Sequence, residues 1–227
     1  TIICMGGSFG IADGLAHAID APIIAHLGDS TFFHAGIPPL INAVYNKANM
    51  TMVILDNSAT AMTGFQPHPG TGHTATGDET VKLNPEDIAR ACGVQFVQVI
   101  DPLDLEAAVA TLEKAIRFKG PAVVVSRRIC TIIDQGEKKK KGEKSKTYSI
   151  DHDICLECRE CIDLLGCPAI IESQGSTEID SSLCTGCGVC AQKCPVEAID
   201  EFNQGLGERG SIFVKYPQAV PLTYMID

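Results

Sequence analysis

The chain has 227 residues, 45% of them hydrophobic, with 28 acidic and 18 basic side chains and a net charge of −10. That is enough apolar material for a packed domain and a small companion, which excludes a disordered chain. The negative balance disfavours a nucleic-acid partner, and no apolar run approaches the length of a membrane span.

Strands and helices alternate along the first half. TIICMGG opens abruptly in what reads as a strand, and no signal peptide precedes it. Gly6-Gly7-Ser8 with Gly10 forms a glycine-rich turn before a helix expected from Ile11 to Ile19. Such a turn can offer backbone N–H groups to a phosphate, although by itself it is equally an ordinary strand–helix turn. Residues 21–29 read as a buried strand ending in Gly28-Asp29-Ser30, and residues 51–57 as a second ending in Asp56-Asn57. Between them, residues 34–48 carry helical spacing. Asn84-Pro85 starts another helix, with Asn as the expected cap, ending near Cys92. A strand at 94–100, a helix at 104–117 and a strand at 122–126 complete a doubly wound parallel α/β sheet over residues 1–133.

Residues 134–147 are lysine-rich and lack an apolar face, so they are expected to form a solvated linker. The charge is uneven around this segment: −4 before it, +3 within it and −9 after it.

Eight of the eleven cysteines follow, in two runs. Cys184, Cys187, Cys190 and Cys194, then Pro195, have the bacterial ferredoxin spacing C-x2-C-x2-C-x3-C-P. Cys155, Cys158, Cys161 and Cys167, then Pro168, differ by two residues inserted before the last cysteine. The first three cysteines of each run are 29 residues apart, so residues 148–227 are a duplicated, two-cluster ferredoxin-like α+β domain. In such domains the fourth cysteine ligates the other cluster. One 4Fe–4S cluster is therefore assigned Cys155, Cys158, Cys161 and Cys194; the other takes Cys184, Cys187, Cys190 and Cys167, and the insertion leaves the second open to an atypical form. Zinc is the competing reading, but it favours two separated C-x2-C pairs. A disulfide scaffold is disfavoured by the cofactor pattern, which points to a reducing, anaerobic cytoplasm. Cys4, Cys92 and Cys130 are left over as small core residues.

The strand ends carry the second chemistry. Ligands of open parallel sheets bind beyond the C-terminal ends of the strands, and an Asp and an Asn there offer hard oxygens to Mg²⁺. Asp29 and Asn57 resemble the thiamine diphosphate signature, G-D-G followed by N-N, with Ser30 and Asp56 replacing its last Gly and first Asn. The resemblance assigns Mg²⁺ to Asp29, Asn57 and the backbone carbonyl of Ala59, and thiamine diphosphate to Gly6, Gly7, Ser8, Gly28, Asp29, Ser30, Asn57, Ala59, Met62 and Thr63. The segment Ala61-Met62-Thr63-Gly64-Phe65-Gln66 looks like the 2-oxoacid:ferredoxin oxidoreductases. Its continuation, QPHPGTG, looks like the indolepyruvate ferredoxin oxidoreductase α subunit, which also ends in a two-cluster domain.

That resemblance implies oxidative decarboxylation of an aryl 2-oxoacid to acyl-CoA, with electrons leaving through the clusters to external ferredoxin. Gln66 and His68 become candidate catalytic contacts on a loop over the cofactor; His34 is more simply a helix-start or core histidine. The expected partners are the rest of the subunit, which would supply the aminopyrimidine-binding domain absent here, a β subunit, ferredoxin, CoA and the oxoacid. Pyruvate or 2-oxoglutarate as substrate, or a non-catalytic iron–sulfur electron-transfer subunit, are the alternatives.

Overall fold

A computed structural model of the chain describes residues 4–143, 146–173 and 175–201. The strand expected at the start falls largely on residues 1–3, outside the described residues. The chain divides into two compact units, with the boundary between Cys130 and Thr131.

The first unit is a four-stranded parallel sheet. Its strands are β1 (Ile24–Gly28), β2 (Thr51–Asp56), β3 (Phe96–Ile100) and β4 (Ala122–Arg127), in the order β1-β2-β4-β3. Each strand lies within or one residue beyond the segment expected from its aliphatic run. The central strands β2 and β4 read Thr-Met-Val-Ile-Leu-Asp and Ala-Val-Val-Val-Ser-Arg; continuous apolar runs of this kind suit strands covered on both faces.

The helices are α1 (Gly7–Ala16), the short α2 (Asp29–Thr31), α3 (Ile37–Tyr45), α4 (Pro85–Ala91) and α5 (Leu105–Arg117). Phe9 and Ala12 of α1, Leu40 and Ala43 of α3 and Ala89 of α4 pack with Leu27, Met52, Ile54, Val123 and Val125 on one face. Ala115 of α5 packs with Ala122 and Val124 on the other. Fully burying one such Val or Ile contributes about 1.5–3 kcal/mol, so the alternation along β4 is what places helices on both faces.

Local details differ from the expectation. Helix α1 starts at Gly7, so Gly7, Ser8 and Gly10 lie in its first turns instead of in a loop. Gly6 is its left-handed N-cap, at φ 81°, and a Cβ there would stand 2.5 Å from that of Ala35. The expected 34–48 helix is in two parts: a π-helical segment (Phe32–Gly36) precedes α3, whose start carries Pro38 and Pro39. Asn84 occupies the cap position of α4 without a capping bond, and its amide donates to Asp87 Oδ2 at 2.9 Å. Asp104 does cap α5, accepting from Ala107 N at 3.0 Å.

The expected linker is helical over much of its length. Helix α6 (Thr131–Lys140) covers its first half, with no buried residue. Lys and Glu are good helix formers, and the Asp134–Lys138 pair, one turn apart at 2.7 Å, adds support that needs no apolar face.

The second unit also contains β5 (Tyr148–Ile150), α7 (Glu160–Asp163), β6 (Ile170–Ser173), β7 (Ser176–Ile179), α8 (Val189–Lys193) and β8 (Ile199–Glu201). Strand β5 pairs antiparallel with β8, and β6 with β7. The 29-residue repeat maps each element of one half onto the other. The halves are also stitched reciprocally: Asp151 N donates to Ala198 O at 2.7 Å, and Asp180 N to Ala169 O at 2.8 Å. Ala169, Ala198, Ile170 and Ile199 form the small core. Among the described residues no helix is long and apolar enough to cross a membrane.

Candidate functional site

Two constellations carry chemistry. The first lies at the C-terminal ends of β1 and β2, which run side by side with Gly28 opposite Leu55. Asp29 is 2% exposed at the start of α2. Its Oδ1 accepts from Ser30 N and its Oδ2 from Ser58 N, both at 2.8 Å. Burial pushes its carboxyl up, but the neighbouring His68 imidazole and the Ser30 N–H outweigh that and hold it below the ordinary range. The site thus holds a carboxylate in its ionised form.

Asn57 closes a tight turn, its Oδ1 accepting from Ala59 N at 3.1 Å. Ser58 follows in the left-handed region, at φ 60°. The turn is tied to the end of β4: Arg128 N donates to Asp56 O at 2.9 Å and Cys130 N to Asn57 O at 3.0 Å. Ala59 is buried. Thr60 Oγ1 donates to Ser30 Oγ at 3.0 Å, so Ser30 also belongs to this constellation. Gly6 stands beside Thr31 and Ala35, which brings the α1 N-terminus to the same region; Ser8 Oγ instead donates to His26 O at 2.7 Å.

The MTG-x-Q segment is a turn that closes on itself. Ala61–Thr63 form a single 3₁₀ turn. Gln66 Nε2 donates to Thr63 O at 2.7 Å, and Thr63 Oγ1 to Gln66 Oε1 at 2.6 Å. Gln66, Met62 and Thr63 are exposed, Met62 at 71%.

His68 is placed differently. It is 4% exposed and its Nε2 lies 3.2 Å from Asp29 Oδ2. Its Nδ1 accepts from Gly70 N at 3.1 Å, which puts the proton of the neutral ring on Nε2. The alignment with Asp29 is poor, so Nε2 is a buried polar atom without a hydrogen-bond partner. Phe33 lies against the imidazole, with ring centroids 5.6 Å apart. His34 and His26 are exposed.

The residues the sequence reading passed over are Arg127 and Glu86. Arg127, the last residue of β4, donates from Nε to Asp56 Oδ2 at 2.7 Å and bidentately to Glu86 at 3.0 and 2.6 Å. Glu86 raises its basicity most, with burial opposing and Asp56 adding to it, so the guanidinium is held charged even more firmly than usual. The available signal was a charged residue directly after a buried strand run.

The donor chemistry fits a divalent cation carrying a diphosphate. A buried, ionised carboxylate, an amide oxygen and a backbone carbonyl are hard oxygens at one sheet edge, and the orphaned His68 Nε2 marks polarity still unsatisfied there.

The second constellation is the cysteines, none of which forms a disulfide. Burial pushes the Cys161 thiol up, and Cys158, Cys155 and Cys194 are near enough to add to it. Cys190 is pushed up to about 11, by burial and then by Cys187, Cys184 and Cys167. The fourth cysteine of each run thus stands with the first three of the other. Cys155, Cys158, Cys161 and Cys194 line one pocket. Among the described residues no three His, Cys, Asp or Glu converge on a single metal-ion position; a cubane spreads its thiolates over four corners. The two residues inserted before Cys167 are taken up after α7 by a turn through Gly166, at φ 55°. Of the leftover cysteines, Cys92 packs at the core and Cys130 is half-buried, but Cys4 is exposed, contrary to the expectation.

Residues 1–126 match the family described as thiamine pyrophosphate enzyme, C-terminal TPP binding domain. The chain belongs to the thiamine pyrophosphate enzymes. Residues 177–200, with Cys184, Cys187, Cys190 and Cys194, match a 4Fe-4S binding domain. The indolepyruvate oxidoreductase subunit IorA of Archaeoglobus fulgidus is 50% identical over 197 residues, 87% of this chain and 31% of the relative. The IorA subunit of Thermococcus kodakarensis is 41% identical over 221 residues, 90% of this chain and 34% of the relative. The chain therefore spans about a third of the length of these relatives. A solved 2-oxoglutarate:ferredoxin oxidoreductase from Magnetococcus marinus shares the fold, at TM-score 0.51 and 23% identity over 56% of this chain and 46% of that one. The α/β sheet is that of a thiamine pyrophosphate enzyme, followed by a ferredoxin-like unit.

Proposed function

We propose that this chain is the diphosphate-binding and electron-exit segment of a cytoplasmic 2-oxoacid:ferredoxin oxidoreductase acting on aryl 2-oxoacids such as indolepyruvate. The observation that carries the reading is that one chain holds both the Asp29–Asn57 strand-end site and two interleaved cysteine quartets. The IorA likeness over 87% of the chain supports the aryl substrate.

Asp29, Asn57 and the Ala59 carbonyl would hold Mg²⁺, and the α1 N-terminus would face the diphosphate. The His68 ring lies 3.2 Å from Asp29, which makes it a candidate positioning residue; Gln66, on the exposed turn, remains the candidate for substrate contact. When bound, thiamine diphosphate supplies the carbanion chemistry of decarboxylation and the clusters supply one-electron storage. Cys155, Cys158, Cys161 and Cys194 would hold one cluster, and Cys184, Cys187, Cys190 and Cys167 the other. The domain that binds the aminopyrimidine, a β subunit, CoA and ferredoxin complete the system.

The test uses the full subunit in its native assembly. Thiamine diphosphate should bind in a Mg²⁺-dependent way and Asp29→Ala should abolish that binding; unchanged affinity would sink the site. Turnover should be faster with indolepyruvate than with pyruvate or 2-oxoglutarate, and the opposite order overturns the substrate. Assemblies that contain clusters but never bind thiamine diphosphate overturn the enzyme reading in favour of an electron-transfer subunit.

A further inference from the structure

Asp29 and Asp56 share one donor. The Ser58 N–H lies 2.8 Å from Asp29 Oδ2 and 3.1 Å from Asp56 Oδ1. Two buried carboxylates meeting at one N–H repel, and each needs compensation. Both are under 10% exposed, Asp29 at 2% and Asp56 at 7%. Their surroundings differ in kind. Asp29 receives two backbone N–H groups and lies beside the His68 ring. Asp56 receives a permanent cation, because Arg127 Nε donates to its second oxygen at 2.7 Å.

Arg127 is itself fixed. Its two terminal nitrogens are both engaged by Glu86, in the first turn of α4, at 3.0 and 2.6 Å. The guanidinium fork is therefore filled on two sides, and its orientation toward Asp56 is not free to change.

We propose that Arg127 is a positioning residue of the cation–diphosphate site. By pairing with Asp56 it removes that carboxylate from competition for the cation and leaves Asp29 as the only one offered. It also cancels a negative charge that would otherwise stand beside the ligand's anionic diphosphate. This rests on the reading of Asp29 and Asn57 as that site and explains how an acidic residue is tolerated directly before Asn57.

The role is charge compensation, so it has a signature that packing lacks: removal of the partner charge restores function. The experiment titrates thiamine diphosphate calorimetrically at fixed Mg²⁺ into the full native assembly, in four forms. Arg127→Met should weaken binding by at least about tenfold, since it leaves a charge uncompensated beside the site. Adding Asp56→Asn to that variant should bring affinity back to within about threefold of wild type, as the compensated charge is gone. Binding that is unchanged in Arg127→Met, or as weak in the double variant as in the single one, overturns the proposal. If Arg127→Met fails to fold, the triple variant Asp56→Asn, Glu86→Gln, Arg127→Met removes all three charges together; it should fold and bind nearly normally, and loss of binding there overturns the proposal. A wild-type assembly that does not bind thiamine diphosphate would instead overturn the underlying site reading.

Discussion

His68 Nε2 faces Asp29 Oδ2 across 3.2 Å, although the two residues are 39 positions apart and both are almost completely buried. The contact joins the QPHPG loop to the end of the first strand. Replacing His68 by Ala leaves the Asp29 carboxylate short of a polar neighbour in a buried site, at a cost of about 1–2 kcal/mol. The expected outcome is roughly a 5- to 30-fold rise in the Mg²⁺ concentration that half-saturates thiamine diphosphate binding. Gly70→Ala should act in the same direction, because its Cβ would stand 2.7 Å from Phe33 Cε2 and 3.0 Å from His68 Cε1. Mg²⁺ titration followed by cofactor fluorescence or calorimetry checks both; wild-type midpoints would remove His68 from the site.

The interleaved quartets predict reciprocal losses. Cys194→Ser should destroy the cluster proposed for Cys155, Cys158 and Cys161 and spare the one proposed for the other quartet; Cys167→Ser should do the reverse. Iron should fall from about eight atoms per chain toward about four or a three-iron form in each case. Low-temperature EPR of the reduced variants distinguishes the surviving signals. Loss of the same signal in both variants would refute the interleaving.

The repeat also predicts unequal tolerance at matched positions. Gly186 and Gly188 are left-handed, at φ 72° and 73°, and so are their counterparts 29 residues earlier, Glu157 and Arg159, at 49° and 66°. A Cβ at Gly188 would stand 2.6 Å from the Tyr148 hydroxyl, and one at Gly186 2.4 Å from Lys146 O. Side chains are accommodated in the first run, where Glu157 accepts from Thr177 N and Oγ1 at 3.2 and 3.0 Å and Arg159 pairs with Glu172. Gly188→Ala should cost about 1–3 kcal/mol, with part of the loss recovered by Tyr148→Phe. Arg159→Gly should be close to neutral, because it relieves the backbone as it forfeits an exposed pair. Denaturant midpoints of the cluster-loaded protein measure each.

Acid should act through Glu86. Burial raises its pKa, but the hydrogen bonds from Arg127 outweigh that and leave it below its ordinary 4.5. A depressed folded pKa means that the unfolded state binds the proton more readily. The contribution is therefore fully present above pH 4.5 and is lost as the pH falls through the folded value. Glu86→Gln should flatten the pH dependence of the denaturant midpoint below pH 4.5, where the folded and unfolded states differ in protons bound. An unchanged slope would mean that Glu86 does not stabilise the sheet unit.

Local signals carried most of the architecture into the sequence. Unbroken aliphatic runs located all four parallel strands, and cysteine spacing, which is itself a short-range feature, located both quartets. The turn proposed to hold the cation stood out for a related reason: Asp29 and Asn57 each end such a run. What escaped has a common cause in long-range pairing. Arg127 meets Asp56 from 71 residues away, and nothing local to either residue announces the other. His68 looked like a loop residue that could reach a substrate, since burial on Asp29 is a property of the folded loop. Helix α6 was missed because an entirely polar segment has no periodic stripe to display, although its composition favours a helix.

The turn through Ser58 has an implication for protein engineering. Its residues come from β2, but its hydrogen bonds end on Asp29 after β1 and on Arg127, Arg128 and Cys130 at the end of β4. The two motifs alone are therefore not a portable module. Transplanting the site into another parallel sheet would require a third strand next to the second, with an arginine as its last residue and an acidic helix start to grip it. A host that lacked that arginine would receive the two motifs intact and still leave Asp56 without its counter-ion.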